Sequence, residues 1–227
     1  MRRSALAPFL LCVFAGILVP AAHATPVLLT FSGLQDLQAI GNYYNGGAGP
    51  NYGISFSSNV YALTSVFQGG AGGFNPDPTR SPAMFIMGTT GTNATGTMNV
   101  GPGFSNGISF FYTAAFTETV TVWSGANGTG TILATINLSP NNGSCVGFPS
   151  YCNWSGVGLS FTGTGKSVTF SGPANGMGIS DITLGSTTLV TPEPSTIILL
   201  GMGLVGTSIG RGRRFILRLI RRNSAKA

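Results

Sequence analysis

The chain has 227 residues, of which 35 are glycine, 43% are hydrophobic and 10% aromatic, while only 7% are charged. Its formal net charge of +6 belongs to the two ends, since nine of the eleven bases lie in residues 1–3 and 211–226. Between residues 25 and 194 two bases, Arg80 and Lys166, stand against five acids, a net of −3, which excludes the phosphate-neutralising surface a nucleic-acid partner requires.

Arg2 and Arg3 precede an apolar run over residues 5–19, and Ala22-His23-Ala24 follows as a small-x-small site, so residues 1–24 read as a signal peptide cut before Thr25 by signal peptidase. A retained membrane anchor is the alternative. Residues 25–190 then leave room for one domain of about 165 residues. Their apolar and aromatic content argues against disorder.

Within that domain, period-2 apolar patterns separated by turn residues predict strands. They cover 27–31, 54–56, 60–67, 84–87, 97–100, 108–112, 119–124, 132–138, 157–161, 168–170 and 179–184. No stretch carries a helical period. The clearest unit pairs the strand ending at Trp123 with 132–138 across a connection containing Asn127-Gly128, a pair that tolerates the positive φ of tight turns. Val120 and Val122 are expected to face the core, as are Ile132, Ala134, Ile136 and Leu138. Asn106-Gly107, Asn142-Gly143 and Asn175-Gly176 read as further turns. About ten short antiparallel strands predict an all-β, antiparallel two-sheet sandwich, jelly-roll-like, with a β-helix as the runner-up.

Cys145 and Cys152 are the cysteines left once the leader carrying Cys12 is removed. In an oxidising exterior they are expected to form a local disulfide ahead of Trp154, with free thiols as the alternative.

The C-terminal end, residues 191–227, has three parts. Pro192-Glu193-Pro194 comes first, then an uncharged stretch over 195–210 read as a transmembrane helix, then Arg211, Arg213 and Arg214 opening a basic end over 211–227. From Pro194 to Gly210 a helix spans roughly 25 Å, short of the ~30 Å hydrocarbon core, a gap that snorkelling arginines close. The positive-inside rule keeps the arginines cytoplasmic and puts the domain outside, the orientation the signal peptide also demands.

This tail resembles the PEP-CTERM sorting signal, in which a Pro-Glu-Pro motif, a Gly-containing transmembrane stretch and a basic cluster are recognised by an exosortase. The resemblance implies a transient inner-membrane anchor, cleavage near the motif, and display at the cell surface or release to the exterior, in the setting of a bacterium that makes exopolysaccharide. A basic amphipathic segment over 215–222 continues past the usual stop, and a plain single-pass anchor is the alternative for the whole tail. The late strands are similar to those of PEP-CTERM bodies taken to be sandwiches like carbohydrate-binding modules. The expected function is a structural or adhesive role in exopolysaccharide or biofilm, with a carbohydrate-binding module at the surface as the alternative.

Little here suggests catalysis. The one histidine, His23, falls in the leader, which removes His-based catalysis and His metal sites from the mature domain. A carboxylate pair for glycoside hydrolysis would have to come from Asp36, Asp77, Glu118 and Asp181, none of which sits in a motif. The domain is therefore expected not to be an enzyme. Sugar binding calls for exposed aromatic faces, for which Trp123, Tyr43 and Tyr44 are the candidates. The likeness to jelly-roll modules implies a structural calcium on Asp181, with Asp36 as a partner; an Asp bonded to a turn backbone is the plainer reading. Asp77, between two prolines, reads as a loop residue.

Overall fold

A computed structural model describes residues 25–189. The expected signal peptide, the transmembrane helix and the basic end lie outside the described residues. Among those described there is no helix long and apolar enough to cross a membrane.

Nine strands make up the domain: β1 (Val27–Leu29), β2 (Ile54–Phe56), β3 (Val60–Leu63), β4 (Ala83–Ile86), β5 (Asn93–Ala114), β6 (Glu118–Trp123), β7 (Ile132–Leu138), β8 (Ser155–Pro173) and β9 (Met177–Leu184). All their pairings are antiparallel. The predicted run 60–67 stops early, because Ser65 turns the chain into a 3-10 turn, Val66–Gln68, its Oγ accepting the Phe67 N–H. Elsewhere the difference runs the other way. The runs 97–100 and 108–112 are one strand of 22 residues, and 157–161 and 168–170 are one of 19.

Those two long strands make the architecture. Hydrogen bonding runs continuously in the order β3-β4-β9-β5-β8-β6-β7, with β1 alongside β9 and β2 alongside β5. The β5–β8 register shifts between Asn99 and Phe104 and again before Asn106. Gly103 (φ 81°), Asn106 (φ 72°) and Gly163 (φ 93°) take the left-handed conformations there. Bulges of this kind bend a strand and let it pass from one layer to the other. Asn106-Gly107 therefore bends a continuing strand and is not the hairpin turn expected of it, whereas Asn175 (φ 60°) does turn β8 into β9.

The result is an all-β, antiparallel, sandwich-like fold whose two layers share β5 and β8. The first layer holds β2, the early part of β5, the late part of β8, β6 and β7. In the second, the late part of β5 and the early part of β8 join β9, β4, β3 and β1. Contact between the layers is direct: Phe110 meets Phe170 edge-on with ring centroids 6.3 Å apart. A Cβ on Gly96 would come within 2.7 Å of Val60 and 2.9 Å of Ile86, which is why that crowded position is glycine.

The core between the layers includes Phe31, Met98, Ile108, Ile179 and Ile182, all fully buried. Val120 and Val122 join it as expected. On β7 only Leu138 does so; Ala134 and Ile136 are half-buried and Ile132 is 54% exposed. The reason is position, because among the described residues β7 ends the ladder with no strand beyond it. Asn127 (φ 56°) and Gly128 (φ 68°) make the expected turn between β6 and β7.

Candidate functional site

The three aromatic candidates fare differently. Tyr44 is 3% exposed, and its hydroxyl oxygen accepts the N–H of Phe31 at 2.8 Å, at a residue whose own φ is 57°. Burial pushes its phenol far above the ordinary tyrosine range, so it stays neutral and structural. Tyr43 donates to the Ser32 carbonyl at 2.9 Å and lies against Gly33 and Gly49. Both tyrosines anchor the loop between β1 and β2, and Tyr44 presents no face to a ligand. Trp123 is half-buried on the outer face of the first layer, its indole N–H donating to Thr169 Oγ1 at 2.9 Å.

That outer face is built of hydroxyls and amides. Thr95 and Ser171 share a hydrogen bond of 2.9 Å, Thr121 and Thr135 one of 3.2 Å, and Thr119 donates to Asn137 at 3.0 Å. Asn99 donates to Asn127 across the hairpin loop at 2.7 Å. Cross-strand pairs of this kind stabilise a sheet face without charge. The strand segments that build it carry no Arg or Asp; their one Glu, Glu118, is buried, and their one Lys, Lys166 at the bend of β8, donates Nζ to Gly101 O at 3.0 Å and Pro102 O at 3.2 Å.

The acids are arranged differently from the expectation. Asp36 uses both oxygens on backbone N–H groups, Thr64 at 2.7 Å and Ala71 at 2.8 Å, and so fixes the loop after β3. Asp181 is joined instead to Asp77, the residue that read as a plain loop position. Thr79 Oγ1 lies 2.7 Å from an oxygen of each carboxylate and 3.0 Å from Ser81 Oγ. Both acids are buried, at 2% and 0% exposure, and Oδ1 of each has no partner. Asp181 sits in β9 with φ 51°, within the register jump opposite Ser109 and Phe111.

Protons decide what this cluster can be. Thr79 and Ser81 bring one hydroxyl hydrogen each, yet three close oxygen–oxygen contacts must be bridged. A shared carboxyl proton or a cation supplies what is missing. Burial raises the Asp181 carboxyl above its usual range; the Thr79 hydrogen bond works against this and the neighbouring Asp77 adds to it. Two carboxylates and two hydroxyls are hard oxygen donors of the kind calcium takes, so the residues fit that ion. No group of three His, Cys, Asp or Glu side chains gathers among the described residues. The signal that could have drawn attention to Asp77 is local and slight: Thr79 follows it two residues on, close enough for the hydroxyl to reach the carboxylate.

Glu118 was also missed as an unusual group. It opens β6 at 1% exposure, with neither carboxylate oxygen bonded, against Gly172 and Gly176. Burial raises its carboxyl from 4.5 to about 8.

Cys145 and Cys152 are joined, with Cα atoms 5.5 Å apart. The loop they close docks on the segment before Pro76. Asn75 donates its backbone N–H to Tyr151 O and its side-chain amide to Cys152 O, each at 2.9 Å, and Trp154 Nε1 donates to Asn75 O at 2.8 Å. Beside this contact lies an apolar groove of about 340 Å³ lined in part by Leu37, Phe74, Phe85, Tyr151 and Met177.

Fold and tail together define a class, a sandwich-like β-domain followed by a C-terminal sorting signal. Residues 190–214 match the PEP-CTERM protein-sorting motif, with Pro192, Glu193, Pro194, Arg211, Arg213 and Arg214 inside the matched span. No curated protein matches the sequence. Among solved structures, a mutant of CBM29-2, a family 29 carbohydrate-binding module, is similar at a TM-score of 0.44 and 13% identity over 75% of this chain and 100% of that one. A family 6 carbohydrate-binding module gives 0.37 and 17% over 70% of this chain and 92% of that one. At these identities the likeness concerns the backbone, and no residue role is taken from it.

Proposed function

We propose that the protein is exported, sorted through its C-terminal tail and cleaved there by an exosortase, leaving the β-domain at the cell surface or in the surrounding matrix as a non-catalytic structural or adhesive component of exopolysaccharide or biofilm. The carrying observation is the sorting motif at 190–214, which follows the β-domain whose last strand ends at Leu184. A covalently closed loop, a jelly-roll-like sandwich and a leader ending at Ala24 are consistent with an oxidising exterior. Mass spectrometry of the mature protein from its host tests this. The expected chain starts at Thr25 and ends near Pro192; a terminus still at Ala227 means a plain membrane anchor instead.

A second reading, a glycan-binding module, is favoured by one observation, the half-buried Trp123 on a face of hydroxyls and amides whose one charged border residue is Lys166. Stacking on the indole with polar edge contacts suits a neutral polysaccharide. Retention of the released protein on a panel of polysaccharides should then fall at least tenfold in Trp123→Ala. Absence of retention on every sugar sinks this reading and leaves the first. With either, Asp77 and Asp181, rather than Asp36, would hold a structural calcium, which would supply a positive charge between two buried carboxylates.

A further inference from the structure

The chain leaves the domain along a dock. After β9, Gly185 N–H pairs with Gly107 O at 2.9 Å, and Gly185 itself takes φ 87°. Residues 186–189 then cross the outer face of the second layer, over β5 and β8. Three glycines make room for them. A Cβ on Gly158 would collide with the Thr187 carbonyl, one on Gly107 with the Thr187 methyl, and one on Gly156 with the Leu189 side chain. Glycine inside a strand weakens it, and close approach of another backbone is a standard reason for its presence.

The crossing is also bonded. Ser109, fully buried, donates to Thr188 O at 3.0 Å. Ser186 Oγ donates to the same carbonyl and accepts the Thr188 N–H, each at 3.0 Å, closing the segment on itself. Leu189 covers Gly156 beside Phe111.

Reach gives this segment a consequence. Pro194 is five residues beyond Leu189 and nine beyond Gly185. At most ~3.5 Å per residue, the motif lies within about 18 Å of the body while the segment is docked and within about 32 Å once it lifts. A domain of this length has a radius of gyration of roughly 15 Å. Taken as a sphere, such a body is about 40 Å across, so docking keeps the motif's greatest reach well below the width of the body itself.

We propose that Gly107, Gly156, Gly158 and Ser109 form a dock for the exit segment 186–189 that shortens the reach of the sorting motif from the folded body and slows its cleavage. These are positioning residues for tail processing, and the kinetic part of the proposal rests on the processing reading above.

Two experiments separate the dock from its consequence. The full chain in detergent micelles is treated with a broad-specificity protease, and cuts within 186–189 are timed by mass spectrometry. Wild type is expected to resist there, Gly158→Val to be cut at least tenfold faster, and Leu189→Ser, which leaves the sheet untouched, several-fold faster. Cuts inside β5 or β8 would reveal an unfolded Gly158→Val, in which case Leu189→Ser decides. Equal rates at 186–189 in wild type and the deciding variant overturn the dock. In the host, pulse-chase conversion to the tail-free form is expected to be faster in both variants. Unchanged conversion overturns the kinetic role. A tail retained in all strains overturns the processing reading and the kinetic role together, while the protease comparison still decides the dock.

Discussion

Replacing Glu118 by glutamine removes a carboxyl that the fold holds neutral, and the consequence is a stability that no longer falls so steeply with pH. The carboxyl is raised from 4.5 to about 8 by burial alone. A group whose folded value lies above its unfolded one contributes fully below about 4.5 and loses that contribution as pH rises through about 8. Integrated between pH 5 and 7.5, the shift costs roughly 3 kcal/mol. For a domain of this size that corresponds to a Tm lower by about 6–12 °C at the higher pH. The titratable side chain acting on this region is Tyr151, itself raised by burial and by Glu118, and it stays neutral throughout. Glu118→Gln inherits an unbonded site, so its own cost appears as an offset independent of pH, and the slope is what is read. Thermal unfolding of both proteins from pH 5 to 7.5 in chelator is the assay. The Asp181 carboxyl, also raised, leaves a residual slope of the same sign in the variant. A wild-type Tm that is flat or rising over this range, or an unchanged slope in Glu118→Gln, refutes the reasoning.

Calcium at millimolar concentration should raise Tm relative to chelator, and more at pH 7.5 than at pH 5, because the ion competes with a proton on the Asp181 carboxyl, which burial raises. Asp181→Asn should abolish the increment; the same Tm with and without calcium in wild type sinks the site. Opening the Cys145–Cys152 loop by Cys145→Ser should cost about 2 kcal/mol on the chain-entropy view of a short loop, read as a lower Tm that reductant does not lower further.

Much of the fold was legible because strand periodicity is local. Val120 and Val122 alternate with Thr119 and Thr121, and that pattern alone assigns their faces whatever lies opposite. The same logic failed for Ile132, since being an edge strand with nothing beyond it is not written in the alternation. It also failed at Asn106-Gly107, where left-handed conformations that usually reverse the chain bend a strand that continues. The tyrosines were found as aromatics, yet whether a ring faces solvent or supports a loop depends on what packs over it.

The sorting tail was a property of sequence: a short motif, an apolar stretch and a basic cluster act by order and composition, so no packing is needed to recognise them. The β-rich class and the cysteine pair followed likewise from local pattern and count. Only the tertiary structure decided which acids meet, which glycines leave room for the exit segment, and that two long bent strands serve both layers. Those outcomes join residues far apart in the chain, Asp77 with Asp181 and Gly158 with Thr187, and a long-range juxtaposition leaves no periodic trace at either position.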